Sequence, residues 1–341
     1  MRGLAITLCF RPLAVHRGTP HPLVPLLEDA GHRVRQVPDG APDLAATDLV
    51  WLEGNANWYP AVCRQLMAAT RVRRPLVLVW HSEPLPPPRA AGLPVPRLHL
   101  REIAKIVLRD PRATDVYSNY FRIRQLARHG LPDVLIVSTG GRREFLAEHG
   151  INAHFVPLGY HPANGHDMGL PRDIDTLFLG SPDVPRRQRL LNQLRRRGVD
   201  LVARGSWFDP ANWGEERARL LNRTKILLNL GRHPGELSGL RLILGFANKA
   251  LVISEPIYNP APYVPGTHYV SATIEDIPQA IRYYLVHEDE RRRIAAEGHR
   301  LVTQEITLAR SVSQILAIVA ERVGADGTRP RGSATDIALA R

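Results

Sequence analysis

Hydrophobic and polar positions follow two patterns along this chain, and segments with the two patterns alternate. Short runs rich in Val, Ile and Leu are separated by longer stretches whose apolar residues recur every three or four positions, the spacing of one helix face. Strands that are apolar throughout are typical of parallel sheets covered by helices on both sides. The pattern therefore predicts an α/β protein.

The first half of the chain shows this alternation clearly. Its predicted strands are Leu4–Cys9, Arg33–Val37, Leu49–Leu52, Leu76–Trp80, Val134–Val137 and His154–Val156. Its predicted helices are Pro22–Ala30, Pro60–Ala69, Asn119–His129 and Arg142–His149. Because strands and helices alternate, we expect neighbouring strands to run parallel.

The alternation stops over residues 159–173, which are rich in Gly, Pro and His, and then restarts. The later predicted strands are Thr176–Leu179, Leu201–Ala203, Ile226–Leu230, Leu251–Ile253 and His268–Val270. The later predicted helices are Arg186–Arg196, Trp213–Asn222, Gly239–Ala247, Ile274–Leu285, Glu288–Leu301 and Leu308–Val323.

A chain of 341 residues suits two domains of about 150 residues each. We predict two tandem Rossmann-like domains, residues 1–158 and 174–304, joined by the linker 159–173 and facing a central cleft. A helix within residues 305–325 is expected to cross back to the first domain, and residues 326–341 to form a flexible tail. Such sheets bind ligands beyond the carboxyl ends of their strands, which places the active site in the cleft.

The formal net charge is +12, and nearly all basic residues are Arg. A genome rich in Arg codons would give this bias, but so would an anionic partner such as a nucleotide, a phospholipid surface or a nucleic acid. Few aromatic residues interleave with the basic clusters, which disfavours nucleic acid binding. No apolar run reaches the ~20 residues of a membrane span, so we expect no stable insertion, although peripheral membrane contact stays open.

Cysteine usage and the N-terminus favour a cytoplasmic protein. Cys9 and Cys63 form no CxxC motif, so they predict reduced, buried thiols rather than disulfides or a zinc site. The first apolar run is interpreted as a strand, since no small-residue cleavage site follows it. Asp173-Ile174-Asp175 has the letters of a DxD metal motif, but it begins a strand, away from the carboxyl ends, and no metal site is expected.

Two loops of the second half are suited to an anion. In the first, Gly180-Ser181 ends a strand and Arg186-Arg187 begin the next helix, where free amide groups and guanidinium forks favour a diphosphate. In the second, Arg232 and His233 leave a strand and Glu236 to Arg241 lead into a helix. The Ser238 hydroxyl and the first helical amides can donate to phosphate, and Glu236 can accept from sugar hydroxyls. The alternative is a pair of ordinary helix starts with solvated arginines.

Polar residues also end a buried strand of the first half. His81 and Glu83 follow Val77–Trp80 and are expected to project into the cleft, where His81 can act as a base or donate to a sugar, and Glu83 can orient it. Gly18, in the turn after the first strand, allows close approach of a ligand. Neither GxGxxG nor GxxxxGK[ST] occurs, so neither a dinucleotide fingerprint nor a P-loop is present.

At these residues the second half resembles bacterial GT-B glycosyltransferases with a C-terminal group 1 domain of the CgeB type. The resemblance spans roughly residues 175–302. It rests on Leu179–Ser181 with Arg186-Arg187, Thr224–Leu230, Gly239–Arg241, Ala250–Glu255, Pro262–His268, Glu275-Asp276, Tyr283–Leu285, Ile294-Ala295 and Gly298-His299. The first half is similar only loosely, at residues 21–34 and 150–162.

The resemblance implies an enzyme that moves a sugar from a nucleotide-diphosphate sugar to an unidentified acceptor without a metal or cofactor. A UDP-sugar is favoured as the donor, and GDP- and dTDP-sugars are alternatives. The assigned catalytic residues are His81, Glu83 and Glu236. The donor diphosphate and sugar are assigned to Gly18, Arg186, Arg187, Arg232, His233, Ser238, Gly239, Leu240 and Arg241. The nucleoside is assigned to Gly205, Ser206 and Trp207.

One position departs from the pattern of these enzymes. They often carry a second acid, in an E-x7-E arrangement, that holds ribose or sugar hydroxyls. Counted from Glu236, that position is Leu244, and the glycine that usually follows is Lys249. This departure leaves open a nucleotide-sugar-binding or partner subunit without turnover. A related two-domain α/β fold with other chemistry, such as a nucleotide-sugar epimerase, is a further alternative.

Overall fold

A computed structural model describes residues 3–11, 21–38, 43–70, 74–108, 115–182, 184–205, 209 and 212–325. Within these residues the chain forms two separate sheets, and every strand pair in both sheets is parallel. Helices connect the strands, as the alternating pattern requires. The predicted α/β architecture of two tandem Rossmann-like domains is confirmed.

The first domain contains a six-stranded sheet in the order β2-β1-β3-β4-β5-β6. Its strands are β1 (Ala5–Phe10), β2 (Arg33–Pro38), β3 (Leu49–Glu53), β4 (Leu76–His81), β5 (Val134–Val137) and β6 (His154–Phe155). Its helices are α1 (Leu23–Asp29), α2 (Pro60–Ala68), α3 (Leu100–Val107), α4 (Val116–Arg128) and α5 (Gly140–Glu148).

The second domain contains a five-stranded sheet in the order β11-β10-β9-β7-β8. Its strands are β7 (Ile174–Leu179), β8 (Val202–Arg204), β9 (Thr224–Asn229), β10 (Leu251–Ser254) and β11 (Val270–Ser271). The helices that follow the linker are α6 (Pro185–Arg196), α7 (Gly214–Asn222), α8 (Gly239–Ala247), α9 (Ile277–Val286), α10 (Glu288–Arg300) and α11 (Leu308–Ala325).

Each sheet has one point at which the strand order reverses direction. In the first domain the reversal lies between β1 and β3, and in the second between β7 and β9. The loops that leave two such strands turn to opposite faces of the sheet, so a crevice opens between them at the carboxyl edge. In the second domain, this places the loop after Leu179 beside the loop after Asn229.

Helix boundaries differ from the predictions where tertiary contacts decide them. Helix α4 begins at Val116, three residues before the predicted start, because the Glu102 carboxylate accepts the amide hydrogens of Tyr117 (3.1 Å) and Ser118 (3.3 Å). Glu102 lies on α3, a helix that the sequence pattern did not reveal. Helix α5 begins at Gly140, since the Thr139 hydroxyl accepts from an amide of its first turn.

The chain crosses between the domains twice, and the two crossings lie side by side. The amide of Tyr160 donates to the carbonyl of Ile306 at 2.8 Å, and the amide of Leu308 donates to the carbonyl of Tyr160 at 2.7 Å. A Cβ atom on Gly159 would lie 2.5 Å from the Cα of Leu308, so only glycine fits at this crossing.

Helix α11 packs against the sheet of the first domain. Apolar residues along the helix, including Val312 and Ile315, share one buried cluster with Ile6 and Leu8 of β1. The C-terminal helix therefore ties the end of the chain to the opposite domain. Within the described residues, no helix is long and apolar enough to cross a membrane.

Candidate active site

The loops after β7 and β8 approach each other through two glycines. Gly180 has a φ of +150° and Gly205 a φ of +140°, a region that favours glycine. A Cβ atom on Gly205 would lie 2.4 Å from the carbonyl oxygen of Gly180. Neither position tolerates a side chain, so bare backbone lines this part of the crevice. Gly205 is one of the residues assigned to the nucleoside.

Two buried arginines lie at the reversal point of the second sheet. The side chain of Arg187 is 4% exposed and that of Arg241 is 7% exposed. The Arg187 Nε donates to the carbonyl of Leu230 at 3.0 Å, and the Arg241 Nε donates to that of Leu179 at 2.8 Å. Both guanidinium groups lie over the ring of Phe178, at 5.7 and 5.3 Å.

Several N–H groups of these arginines have no acceptor within the described part of the chain. The bonds of Arg187 use Nε alone, and those of Arg241 leave Nη2 unused. A Cβ atom on Gly180 would lie 2.8 Å from the Arg241 Nη2 and 3.7 Å from the Arg187 Nη1, so both forks end at this glycine. Burial, and next the charge of Arg187, lower the pKa of Arg241 to about 9. Two cations held together with donors to spare fit an anionic ligand.

The neighbouring Arg186 has a different position from the one predicted. Its guanidinium forms a two-pronged pair with the Glu255 carboxylate, at 2.8 and 2.5 Å, and donates to the carbonyl of Gly231 at 3.0 Å. Glu255 also accepts from the amide of Gly231 at 2.7 Å. Arg186 is therefore engaged behind the loop, which it stabilises, while Arg187 occupies the buried position at Gly180.

The loop that follows β9 closes on the carboxylate of Glu236. One oxygen, Oε2, accepts the amide hydrogens of Arg232 at 2.6 Å and His233 at 3.2 Å. Burial acts to raise the pKa of Glu236, but the cations Arg187 and Arg142 and the imidazole of His233 outweigh it and hold the pKa below its usual range. Glu236 is thus a carboxylate, and because Arg142 belongs to the first domain, it faces the other side of the cleft.

Helix α8 begins next to this carboxylate with free amide groups. Ser238 precedes the helix, and its side chain makes no capping bond. Among the described residues, the amides of Gly239 and Leu240 have no acceptor, whereas the amide of Arg241 donates to the carbonyl of Ser238. The first turn of α8 therefore presents donors, and the positive end of the helix dipole, to the same crevice.

His81 is the last residue of β4 in the first domain. The residue is 1% exposed, and neither ring nitrogen makes a hydrogen bond of normal geometry, although the backbones of Gly54 and Glu83 lie against the ring. Burial, and next the charge of Arg142, lower the pKa of His81 to about 3. The imidazole is therefore neutral.

Two carboxyl groups lie beside this histidine. Burial, and next the carboxylate of Glu83, raise the pKa of Glu53, at the end of β3, to about 7. Burial also raises the pKa of Glu83. The positive charges of Arg232 and Arg142 act to lower this pKa, and the negative charge of Glu236 acts to raise it. Charges from both domains thus act on the same group. Glu83 therefore lies where the two domains face each other.

We predict that Glu53 makes the stability of the protein depend on pH. Its folded pKa of about 7 lies above the ordinary 4.5, so between these values the native state holds a proton that the unfolded chain releases. The free energy of unfolding should therefore fall as pH rises from 5 to 7.5, by about 2 kcal/mol from Glu53 alone. Urea unfolding of Glu53→Gln should show a flatter profile and higher stability than the parent at pH 8.

The control for this measurement is Glu216→Gln, because Glu216 is exposed on α7. Its profile should follow that of the parent protein. Parallel profiles for the parent and Glu53→Gln would contradict a shifted pKa at Glu53. The raised pKa of Glu83 gives the free energy of unfolding a pH dependence of the same sign. The quantity to compare is therefore the difference in that free energy between the parent protein and Glu53→Gln at each pH.

A contact between the domains closes one edge of the cleft. The carboxylate of Glu144, on α5, accepts from the Tyr258 hydroxyl at 2.7 Å and from the Asn259 amide at 2.6 Å. The cleft beside it is lined by Pro84–Pro88, Leu93, Thr139, Gly141 and Arg142 from the first domain and by His233–Leu237 and Tyr258 from the second. The site is therefore shared by both domains.

The structure places most of the residues assigned from the sequence around this cleft. Gly18, Ser206 and Trp207 lie outside the described residues, and their assigned roles stay predictions. Arg142 and Glu53 were missed, although each follows an apolar run next to glycine, as Gly140-Gly141-Arg142 and Glu53-Gly54. A charged residue beside glycine at the end of a predicted parallel strand was the available signal.

Leu244, which stands where related enzymes often have an acid, also lies in apolar surroundings. Leu244 is 6% exposed and belongs to a buried cluster with Leu227 and Leu242, against which Leu158 and Tyr160 pack. An ionised acid at this position would lose its hydration without a cationic partner from this cluster.

Both aspartates of the DxD sequence form ion pairs. Asp173 pairs with Arg223, and Asp175 pairs with Lys225, both at 2.5 Å. Within the described part of the chain, no group of three or more His, Cys, Asp or Glu side chains is placed to hold a metal ion.

Comparison with known proteins supports the class that the fold defines. Residues 186–317 match a family model described as glycosyl transferase-like. No curated protein matches the chain. Solved structures of the same fold include sucrose-phosphate synthase from Thermosynechococcus elongatus, at 13% identity and a TM-score of 0.61, covering 94% of this chain and 100% of that one.

Two further structures share the fold at 10% identity. HepE from Anabaena, in complex with UDP and glucose, has a TM-score of 0.57 and covers 93% of this chain and 100% of that one. TarM has a TM-score of 0.54 and covers 79% of this chain and 54% of that one, so the chain spans about half the length of TarM.

Two parallel-sheet domains around a cationic cleft define a GT-B protein, and the structural likeness agrees. Residues 186–317 match the glycosyl transferase-like family model, and the GT-B fold expected from the sequence is confirmed.

Proposed function

We propose that the protein transfers a sugar from a UDP-sugar to an acceptor held by the first domain, without a metal ion. The observation that carries this proposal is the pair of buried guanidinium groups, Arg187 and Arg241, whose unused N–H groups converge at Gly180 beside the free amides of α8. Fixed cations and amides can stabilise a departing diphosphate, the task that a metal performs in other transferases.

The residues across the cleft have matching tasks in this proposal. The neutral imidazole of His81 donates to or accepts from hydroxyls of the donor sugar. The Glu236 carboxylate lies on the sugar side of the diphosphate, where positive charge develops as the glycosidic bond breaks. Glu83, whose pKa is raised by burial, is the residue that exchanges a proton with the acceptor in this proposal.

The reaction is proposed to take place in the cytoplasm. Cys9 and Cys63 are the two cysteines of the sequence, and both are free and buried. Unpaired thiols are typical of a reducing compartment.

The experiment that tests the proposal is a screen of UDP-, GDP- and dTDP-sugars, first by thermal shift and then by calorimetry. A UDP-sugar at about a hundred times its Kd should stabilise the native state by about 2.7 kcal/mol and raise Tm by several degrees. EDTA should leave both the shift and the release of UDP unchanged. Absence of any shift with all three nucleotides would refute donor binding, and activity lost with EDTA and restored by Mg²⁺ would refute metal independence.

A second candidate function is supported by Leu244. Since no acid lies at that position, the protein could bind a nucleotide sugar without turning it over, as a sensor or a partner subunit. Binding in the same screen, with no UDP release across a broad acceptor panel, would favour this function over transfer.

A further inference from the structure

Exposed apolar side chains concentrate in one segment of the first domain. Among the described residues, six of the eleven exposed large hydrophobic residues lie between positions 95 and 108. We call this surface the α3 patch; it comprises Val95 (65% exposed), Leu98 (41%), Leu100 (84%), Ile103 (38%), Val107 (72%) and Leu108 (78%). Single exposed hydrophobic residues are ordinary, but a contiguous patch marks an interaction surface.

The helix within the patch is turned outward by its polar contacts. Leu100, Ile103 and Val107 recur at helical spacing and share one face of α3. On the other side, the Glu102 carboxylate accepts two amide hydrogens from the start of α4, and the Lys105 Nζ pairs with Asp115 at 3.2 Å. The polar side of α3 thus faces the protein and the apolar side faces outward, which is the reverse of an ordinary surface helix.

The charge around the patch indicates what covers it. Residues 95–112 contain five basic residues (Arg97, Arg101, Lys105, Arg109 and Arg112) and two acids, and one of those acids, Glu102, is buried in its bonds to α4. Arg97 is exposed. An exposed apolar helix face in a segment of basic sequence, with the exposed Arg97 preceding the helix, fits the boundary between lipid headgroups and acyl chains in an anionic bilayer. Two copies of the chain meeting here would instead bring the same basic residues together.

The patch is also connected to the cleft. Pro84–Pro88 and Leu93, which precede the patch in the chain, line the cleft beside His233–Leu237. The Asn119 side chain of α4 donates to the carbonyl of Pro84 at 2.8 Å, and the Tyr117 hydroxyl donates to that of Pro96 at 2.8 Å. Residues 84–108 therefore run from the rim of the cleft to the exposed helix as one anchored unit.

We propose that the α3 patch docks the protein onto an anionic lipid bilayer, with α3 lying in the plane of the headgroups and the cleft opening at the membrane surface. Docking of this kind presents the first domain to acceptors that carry a lipid. The docking step itself does not depend on the proposed donor chemistry.

The test is co-sedimentation with vesicles of phosphatidylcholine alone and with vesicles that also contain phosphatidylglycerol. The protein should bind the anionic vesicles preferentially, and rising salt should weaken the binding. The double variant Leu100→Asp with Val107→Asp should bind at least about tenfold more weakly, because it places charge on the inserted face. Arg97→Glu should weaken binding to the anionic vesicles alone.

The matched control is Val286→Asp, because Val286 is 80% exposed at the end of α9 in the second domain. It should bind vesicles like the parent protein. Equal binding by the parent and the double variant, or an equal loss in the control, would overturn the proposal. So would a parent protein that ignores vesicles but is a dimer by light scattering and becomes a monomer in the double variant.

Calorimetry with UDP separates this proposal from the donor chemistry. The double variant should keep the UDP affinity of the parent within about twofold, since the patch lies apart from the arginines. A parent protein that binds vesicles but no nucleotide would refute the proposed donor and leave docking intact.

Discussion

Replacing both buried arginines, Arg187→Ala with Arg241→Ala, is expected to weaken UDP binding by about 10²–10⁴-fold. Each guanidinium has unused N–H groups at Gly180, and a charge-assisted bond to phosphate contributes about 1.5–3 kcal/mol. Each single variant should lose part of this affinity. Arg187→Lys should fall between the parent and Arg187→Ala, because it keeps the charge and loses the fork.

The measurement is isothermal calorimetry with UDP, on protein shown to be folded by circular dichroism. The control is Arg196→Ala, since Arg196 is exposed at the far end of α6. Burial lowers the pKa of Arg187 to about 10 and that of Arg241 to about 9, so UDP affinity of the parent should also decline above pH 9 as a proton leaves the pair. Unchanged affinity in the double variant would place the diphosphate elsewhere.

The architecture could be predicted from the sequence because parallel strands are buried on both faces. Runs such as Val77–Trp80 and Ile226–Leu230 carry no polar alternation, and only a sheet covered by helices accommodates them. The convergence of two distant loops also follows from topology, since the strands β7 and β9 lie at the reversal point of the sheet. Pattern and topology together therefore locate the crevice.

The sequence could not show which arginine turns inward. Arg186 and Arg187 are adjacent, but consecutive helical residues point about 100° apart. One therefore meets Glu255 at the end of β10, while the other meets the carbonyl of Leu230. That choice depends on the pairing of β9 with β10, which the residue types do not determine.

Glu53 and α3 were missed for physical reasons of the same kind. The raised pKa of Glu53 comes first from burial and next from Glu83, on the loop after β4, the strand that pairs with β3. Helix α3 is held by Glu102 through a tertiary contact, and its apolar residues Leu100, Ile103 and Val107 are exposed. Their helical spacing was the available signal for this helix, whereas its outward orientation depends on the tertiary contact.

Glu236→Gln is expected to reduce turnover by about 10²–10³-fold while leaving UDP affinity nearly unchanged. Both amides of the loop, from Arg232 and His233, donate to the single oxygen Oε2. A glutamine oxygen can accept both, so the loop keeps its shape and the site loses one negative charge. Cleavage of a glycosidic bond passes through a transition state with positive charge on the sugar, and the carboxylate should stabilise that state more than the bound donor.

Steady-state UDP release and calorimetry separate the two effects for Glu236→Gln. A fall in kcat with an unchanged Kd for UDP indicates an interaction made in the transition state, whereas a fall in kcat with a comparable rise in Kd indicates a damaged donor site. Glu236→Ala should impair both, because the loop loses its acceptor as well as its charge. The control Glu216→Gln, exposed on α7, should retain parent values. Full turnover by Glu236→Gln would contradict a catalytic role for this carboxylate. Its role would then be limited to holding the loop in shape.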